Sequence, residues 1–194
     1  MGQELPDPQR GTSQCLSLPL RQPLRFSDVD TIAPEITRDI YGMPAFVTLT
    51  VTDLDRAVDW YVNGLDFISL FTIPRPDGRP ALVHLRRWRY QDILLREGAP
   101  PTGGEWTISI MATLEQLPAI AERARSHGGG TVEGPADTPW NTRDLRLTDP
   151  DGYTVVYTAP RPEGQRDARF SAMMQREVRR QLGGETIPPG GSAA

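Results

Sequence analysis

The stretch FVTLTVTDLDRAVDWYVNGLDF, Phe46 to Phe67, changes its hydrophobic period once, at Asp53. Before that point Val47, Leu49 and Val51 alternate with Phe46, Thr48 and Thr50, the two-residue period of a half-buried strand. After it Leu54, Ala57, Val58, Tyr61 and Leu65 recur at helical spacing, with Asp53 as the N-cap and Asn63-Gly64 as the stop. Strand signals follow at Phe67 to Ile73, at Ala81 to Arg86 beyond the Pro76-Asp77-Gly78 turn, and at Asp92 to Arg96. This half of the chain reads βαβββ.

The same plan returns downstream. Trp106 to Met111 reads as a strand, and Leu114 to His127 as a helix with Leu114, Leu117, Ile120, Ala121 and Ala124 on one stripe. Gly128-Gly129-Gly130 ends that helix, and strands follow near Val132, at Asp144 to Thr148 and at Tyr153 to Thr158. Laying Thr113-Leu114-Glu115 on Asp53-Leu54-Asp55 sets the two units 60 residues apart. The reading is one α+β domain over residues 43–160, built from tandem βαβββ modules at 43–98 and 104–160. Residues 1–42 read as a largely irregular arm rich in Pro and Gln, and 183–194 as a disordered tail. Between domain and tail, over 161–182, Phe170, Met173, Met174, Val178 and Leu182 mark a short amphipathic helix, packed on its own domain or on a second copy.

TLTVTDLDRAVDWYVNGLDF and LTDPDGYTVVYT, the latter closing the second module through Asp149-Pro150-Asp151-Gly152, resemble segments of the vicinal oxygen chelate superfamily. That superfamily holds glyoxalase I, bleomycin-resistance and extradiol dioxygenase proteins. The resemblance covers residues 44 to 160, and Asp66 stands where the family usually has Gly. It implies that the paired modules curl into a cup-shaped mixed sheet, with helices outside and a ligand or metal inside. By strand parity Val47, Leu49, Val51, Val83, Leu85, Leu145, Leu147, Val155 and Tyr157 then face the helices. Phe46, Thr48, Thr50, Leu82, His84, Arg86, Trp106, Ile108, Ile110, Arg146, Thr148, Thr154, Val156 and Thr158 face the cup. The resemblance also implies four metal ligands, on the first, fourth, fifth and eighth strands. Phe46, Leu94 or Leu95, Trp106 and Val156 stand there, and none is an imidazole, carboxylate or thiolate. A slip of one residue on the fifth strand would bring in Glu105 alone. The expectation is no metal and no cofactor.

Composition narrows the chemistry further. The 21 positive charges are all Arg, so Schiff-base, P-loop and Ser-Lys chemistries are excluded. One Cys (Cys15) and two His (His84, His127) exclude an intramolecular disulfide, a CxxC zinc site and a three-histidine site. A net charge of −4 argues against nucleic acid and anionic membranes, although Arg86, Arg87, Trp88, Arg89 and Tyr90 form a basic-aromatic cluster. That cluster reads as a hairpin tip whose Arg side chains cover the indole. No apolar run approaches a membrane span and the first ten residues lack a signal-peptide pattern, so the expected location is the cytoplasm.

The expected function is metal-independent binding of a small organic ligand, aromatic or cationic, as in antibiotic sequestration, by a homodimer. The expected ligand-binding residues are Phe46, Thr48, His84, Arg86, Trp106, Ile108, Trp140, Arg146 and Val156. His84 is the one candidate acid/base for a competing reading, a metal-free isomerase, cyclase or lyase with Arg86 or Arg146 stabilising an oxyanion. A third reading keeps a glyoxalase- or dioxygenase-like metalloenzyme whose ligands lie elsewhere. His127, in the last helical turn, reads as a dipole cap.

Overall fold

A computed structural model describes residues 38–181 except 40, 44 and 104, so the readings for the arm before residue 38 and for the tail lie outside the described residues. Eight strands and three helices follow in the order β1 (Val47–Val51), α1 (Leu54–Asp59), β2 (Ile68–Pro74), β3 (Pro80–Arg86), β4 (Asp92–Glu97), β5 (Thr107–Met111), α2 (Gln116–His127), β6 (Thr131–Asp137), β7 (Thr142–Thr148), β8 (Thr154–Pro160) and α3 (Ala168–Gln181). The fold is α+β with two tandem βαβββ modules. Each module keeps its own four-stranded sheet, β1-β4-β3-β2 and β5-β8-β7-β6, in which the first strand lies parallel to the fourth and the others run antiparallel.

Local chemistry sets the element ends. The Asp53 carboxylate accepts the Arg56 backbone N–H at 3.0 Å, which caps α1. Past Asp59 the helix widens into a π turn over Trp60–Gly64. Asp149 accepts the backbone N–H groups of Asp151 (2.9 Å) and Tyr153 (2.8 Å), which fixes the β7–β8 turn. At α3 the Asp167 carboxylate accepts the N–H groups of Arg169 and Phe170, and these donors hold it below the ordinary aspartate range.

One apolar core serves both modules. Leu49, Val51, Leu85, Ile93 and Leu95 from the first sheet and Leu145, Leu147, Val155 and Tyr157 from the second pack on Ala57, Trp60, Tyr61, Leu117, Ile120 and Ala124 of the helices. Cross-module hydrogen bonds tie it: Tyr61 to Asp149 (3.1 Å), Tyr153 to the Thr50 carbonyl (2.8 Å), and Tyr157 to the Leu65 carbonyl (2.5 Å). His127 ends α2 as expected and also reaches Asp59 of the other module at 2.9 Å. Each sheet turns one face to this core, and the opposite, outer faces are where a ligand site belongs.

In β5 the faces are the reverse of the expected ones. Ile110 lies in the core with Ile108 packed against it, and the ladder sets Ile108 beside Val155 and Ile110 beside Tyr157. Thr107, Ser109 and Met111 therefore take the outer face. Matching buried helix positions are 60 apart (Ala57 and Leu117, Trp60 and Ile120), whereas the buried strand positions are odd in β1 and even in β5. The strand-to-helix connection of the second module thus differs by one residue, and one residue inverts a strand.

Candidate functional site

On the first sheet, β3 pairs with β4 so that His84 stands beside Leu94 and Arg86 beside Asp92. All of these sit on the outer face, yet His84, Arg86 and Asp92 are buried, His84 to 4% exposure. Asp92 is the hub. Its Oδ1 accepts from His84 Nε2 (2.7 Å) and from Arg86 Nε (2.7 Å), and its Oδ2 accepts from the Tyr41 hydroxyl (2.8 Å). Arg86 Nη1 also donates to the Asp39 carbonyl at 2.7 Å, and the guanidinium lies 4.1 Å from the centre of the Tyr41 ring. Burial is the main cause that pushes the Tyr41 phenol above its ordinary value, with the Asp92 carboxylate adding to it.

This geometry fixes the imidazole. A carboxylate oxygen only accepts, so Nε2 carries the hydrogen and Nδ1 is the basic atom. Nδ1 is shielded from solvent and has no hydrogen-bond partner among the described residues. Phe71 of β2 meets the imidazole edge-to-face at 5.0 Å. A histidine oriented by a buried carboxylate keeps its second nitrogen uncommitted, and a bound molecule would reach it only once the side chains covering it move.

The outer face of the second sheet is milder. Asp144 Oδ1 accepts from the hydroxyls of Thr142 (2.7 Å) and Thr158 (2.8 Å), and Arg146 reaches the Thr154 hydroxyl at 3.4 Å. Val156, beside Arg146 in the ladder, faces the same way. A groove of about 470 Å³ lined by Leu114, Pro118, Pro135, Asp137 and Arg143 lies beside α2, and none of the candidate residues lines it.

The nine candidate residues fall into separate groups. Thr48, His84 and Arg86 share the outer face of the first sheet, with Phe46 just before β1 and 52% exposed. Arg146 and Val156 share the outer face of the second. Trp140, on the β6–β7 loop, and Trp106, just before β5, are each 54% exposed. Ile108 packs on the core instead, for the parity reason above. In the hairpin cluster Arg87 does cover the Trp88 indole, at 4.4 Å, but Arg86 and Arg87 are both buried. Arg87 donates to the Met111 carbonyl (2.8 Å) and to Gln116 (2.9 Å), so it fastens the first module to the second, and burial holds its guanidinium below the ordinary value. Asp92, Tyr41 and Phe71 complete the site although sequence reading did not select them. Asp92 was within reach, because the aliphatic Ile93 and Leu95 assign it to the face of His84. Tyr41 carried no local signal.

Among the described residues, the positions at which the resemblance implies metal ligands carry no imidazole, carboxylate or thiolate. Outer-facing Thr48, Leu94, Thr107, Ser109 and Val156 occupy the four strands concerned, and Leu95 turns to the core. Glu105 is a single exposed carboxylate ahead of β5. Among the described residues no group of three or more His, Cys, Asp and Glu is placed to hold an ion. These donors do not fit a first-row metal.

Paired βαβββ modules around a shared helical core define an α+β class of tandem-module proteins. The chain belongs to the Glyoxalase/Bleomycin resistance protein/Dioxygenase superfamily, whose sequence profile matches residues 44–157. The uncharacterized protein Rv0887c of Mycobacterium tuberculosis is 29% identical over 136 residues, which cover 64% of this chain and 79% of that one. The crystal structure of TioX from Micromonospora sp. ML1 superposes with a TM-score of 0.51 at 25% identity, over 61% of this chain and 99% of TioX. TnmS3, an antibiotic binding protein from Streptomyces sp. CB03234, is 25% identical over 59% of this chain and 93% of its own, with a TM-score of 0.46. No helix among the described residues is long and apolar enough to cross a membrane.

Proposed function

We propose that the protein binds a small amphipathic aromatic molecule on the outer faces of its sheets, without a metal, and serves to sequester it. The observation that carries this is the pairing of a buried polar cluster (His84, Asp92, Arg86) with large apolar side chains left exposed nearby, Phe46, Phe71 and Ile73. Aromatic burial with sparse, directional polar anchors is how proteins hold organic ligands. Bleomycin resistance, in the family's name, belongs to the same kind of activity. Each outer face lies on one open sheet, and a second copy would enclose it. α3 supports that dimer, since none of its residues is buried while Met173 and Met174 are exposed. On this reading the protein acts in the cytoplasm and has no nucleic-acid partner.

Isothermal titration against a panel of glycopeptide and intercalating antibiotics tests the binding, and light scattering after size exclusion tests the dimer. Saturable binding that weakens in Phe46→Ala or Phe71→Ala supports sequestration. A folded protein that binds no member of the panel refutes it. The uncommitted Nδ1 of His84 favours a second reading, a metal-free acid/base enzyme. Turnover separates the two: sequestration leaves the bound compound chemically unchanged, whereas the enzyme reading requires a product whose formation falls by about two to four decades in His84→Gln. Stoichiometric zinc, iron or manganese in protein purified without chelators would replace both readings with a metalloenzyme.

A further inference from the structure

We propose that the place on the outer face of the first sheet where the Tyr41 side chain lies is a subsite for a hydroxylated aromatic ring, and that Tyr41 occupies it as the chain's own stand-in for a ligand. The proposal rests on the small-molecule reading above and names the chemistry that one part of the site selects. Every recognisable feature of a phenol is met here. The Tyr41 hydroxyl donates to Asp92 Oδ2 at 2.8 Å and accepts the Tyr90 backbone N–H at 2.6 Å. Its ring is met by the Arg86 guanidinium at 4.1 Å, by Arg89 at 5.5 Å and by the edge of Tyr90 at 5.0 Å and 68°.

The receiving groups also have contacts of their own, apart from Tyr41. His84 and Arg86 hold Asp92 through Oδ1, which leaves Oδ2 for a third donor. Tyr90 has a φ of 68°, in the left-handed region that a bulky residue seldom adopts. The turn's own hydrogen bonds run from Arg87 N–H to the Gln91 carbonyl and from Gln91 N–H to the Trp88 carbonyl, so the Tyr90 N–H is left to point at the phenol oxygen. By contrast Tyr41 lies in neither strand nor helix and is only partly buried. A few side-chain hydrogen bonds hold it, and a ligand offering the same groups can replace it.

Two selectivities follow from the donor and acceptor pattern. A ring without a hydroxyl leaves both Asp92 Oδ2 and the Tyr90 N–H without a partner, and an aryl ether can satisfy the N–H but not the carboxylate. A phenolate is repelled by Asp92, so the neutral phenol is the form recognised.

The test uses the full chain, as wild type and as Tyr41→Ala, titrated with 4-methylphenol, toluene and 4-methylanisole by protein-observed NMR. Tyr41→Ala should bind 4-methylphenol at least tenfold more tightly than wild type does, and at least tenfold more tightly than it binds the other two. The shift changes should centre on the Tyr90 amide and the His84 ring. No gain over wild type, or an equal response to toluene, would overturn the proposal. If Tyr41→Ala does not fold, Tyr41→Phe keeps the ring and removes its two hydrogen bonds. A gain for 4-methylphenol in that variant supports the subsite, and wild-type behaviour overturns it. A phenol-bearing antibiotic from the panel that perturbs the Tyr90 amide yet binds wild type and Tyr41→Ala with equal affinity would also overturn it while leaving sequestration intact. Rescue by 4-methylphenol with a silent panel would refute sequestration and keep the subsite.

Discussion

Replacing Asp92 by Asn keeps the shape of the hub and removes the charge that faces Arg86. Both side chains of that pair are shut off from solvent, at 1% exposure for Arg86 and 0% for Asp92. In wild type two carboxylate oxygens accept from three donors, His84 Nε2, Arg86 Nε and the Tyr41 hydroxyl. Asn offers one accepting oxygen, so whichever way its amide turns, at least one donor faces an N–H group. Breaking a buried ion pair by removing one partner costs about 3–5 kcal/mol, because the remaining charge is left uncompensated. Against a typical domain stability of about 5–15 kcal/mol that is a large loss. Urea unfolding followed by tryptophan fluorescence measures it, with Trp60 in the core as a native reporter. The midpoint should fall with the slope m unchanged. Pairing Arg86→Met with Asp92→Leu should recover only part of the loss, since His84 and Tyr41 still lack their acceptor. A cost below about 1 kcal/mol for Asp92→Asn would mean that the cluster is solvated, and the reasoning about a buried hub would fail.

Gly130→Ala would press its methyl group against the Thr148 carbonyl and within 2.9 Å of the Trp60 ring. A loss of about 1–3 kcal/mol is expected in thermal unfolding, and an unchanged melting temperature would contradict the packing. Arg87→Lys supplies a point charge where a guanidinium reaches both Met111 and Gln116. Both acceptors keep a second donor, Gln91 Nε2 on the Met111 carbonyl and the Thr113 N–H on Gln116 Oε1, so losing one guanidinium bond should cost about 0.5–1.5 kcal/mol, whereas equal stability of Lys and Arg here would refute the clamp. Burial raises the Asp149 carboxyl above the ordinary aspartate value, although the Tyr153 N–H, the Tyr61 hydroxyl and the Asp151 N–H each pull it down. A raised native pKa contributes stability below the unfolded value and loses it as pH climbs through the native one. The stability of Asp149→Asn relative to wild type should therefore rise from about pH 3 upward, and parallel pH profiles would show that Asp149 is not raised.

The fold was legible because its signals are local and doubled. Asp53 capping a helix behind an alternating strand needs only twenty residues of context, and the repeat at Thr113 to Glu115 made each half a check on the other. That same repeat misled at β5. Carrying an offset of 60 from the helices into the strand put Ile108 on the wrong face, since helix registers tolerate a one-residue change in a connection and strand parity does not. The site was legible only as far as parity reached. His84 and Arg86 were placed on the outer face from the alternation of Val83 and Leu85, but parity describes a direction and says nothing about burial. An outer-facing residue is ordinarily wet. What dries this one includes Tyr41 and Asp39, which reach it from ahead of β1, about fifty residues upstream of Asp92 and outside any periodic element. No window-based reading contains that contact, and without it Tyr41 looks like part of an arm. The polar cluster on the first sheet and the more open, hydroxyl-lined face of the second therefore differ less in strand pattern than in what the preceding chain lays over them. The same sequence distance explains why the stand-in can be exchanged: a contact made by one side chain from outside the sheet can be lost without unpairing a strand.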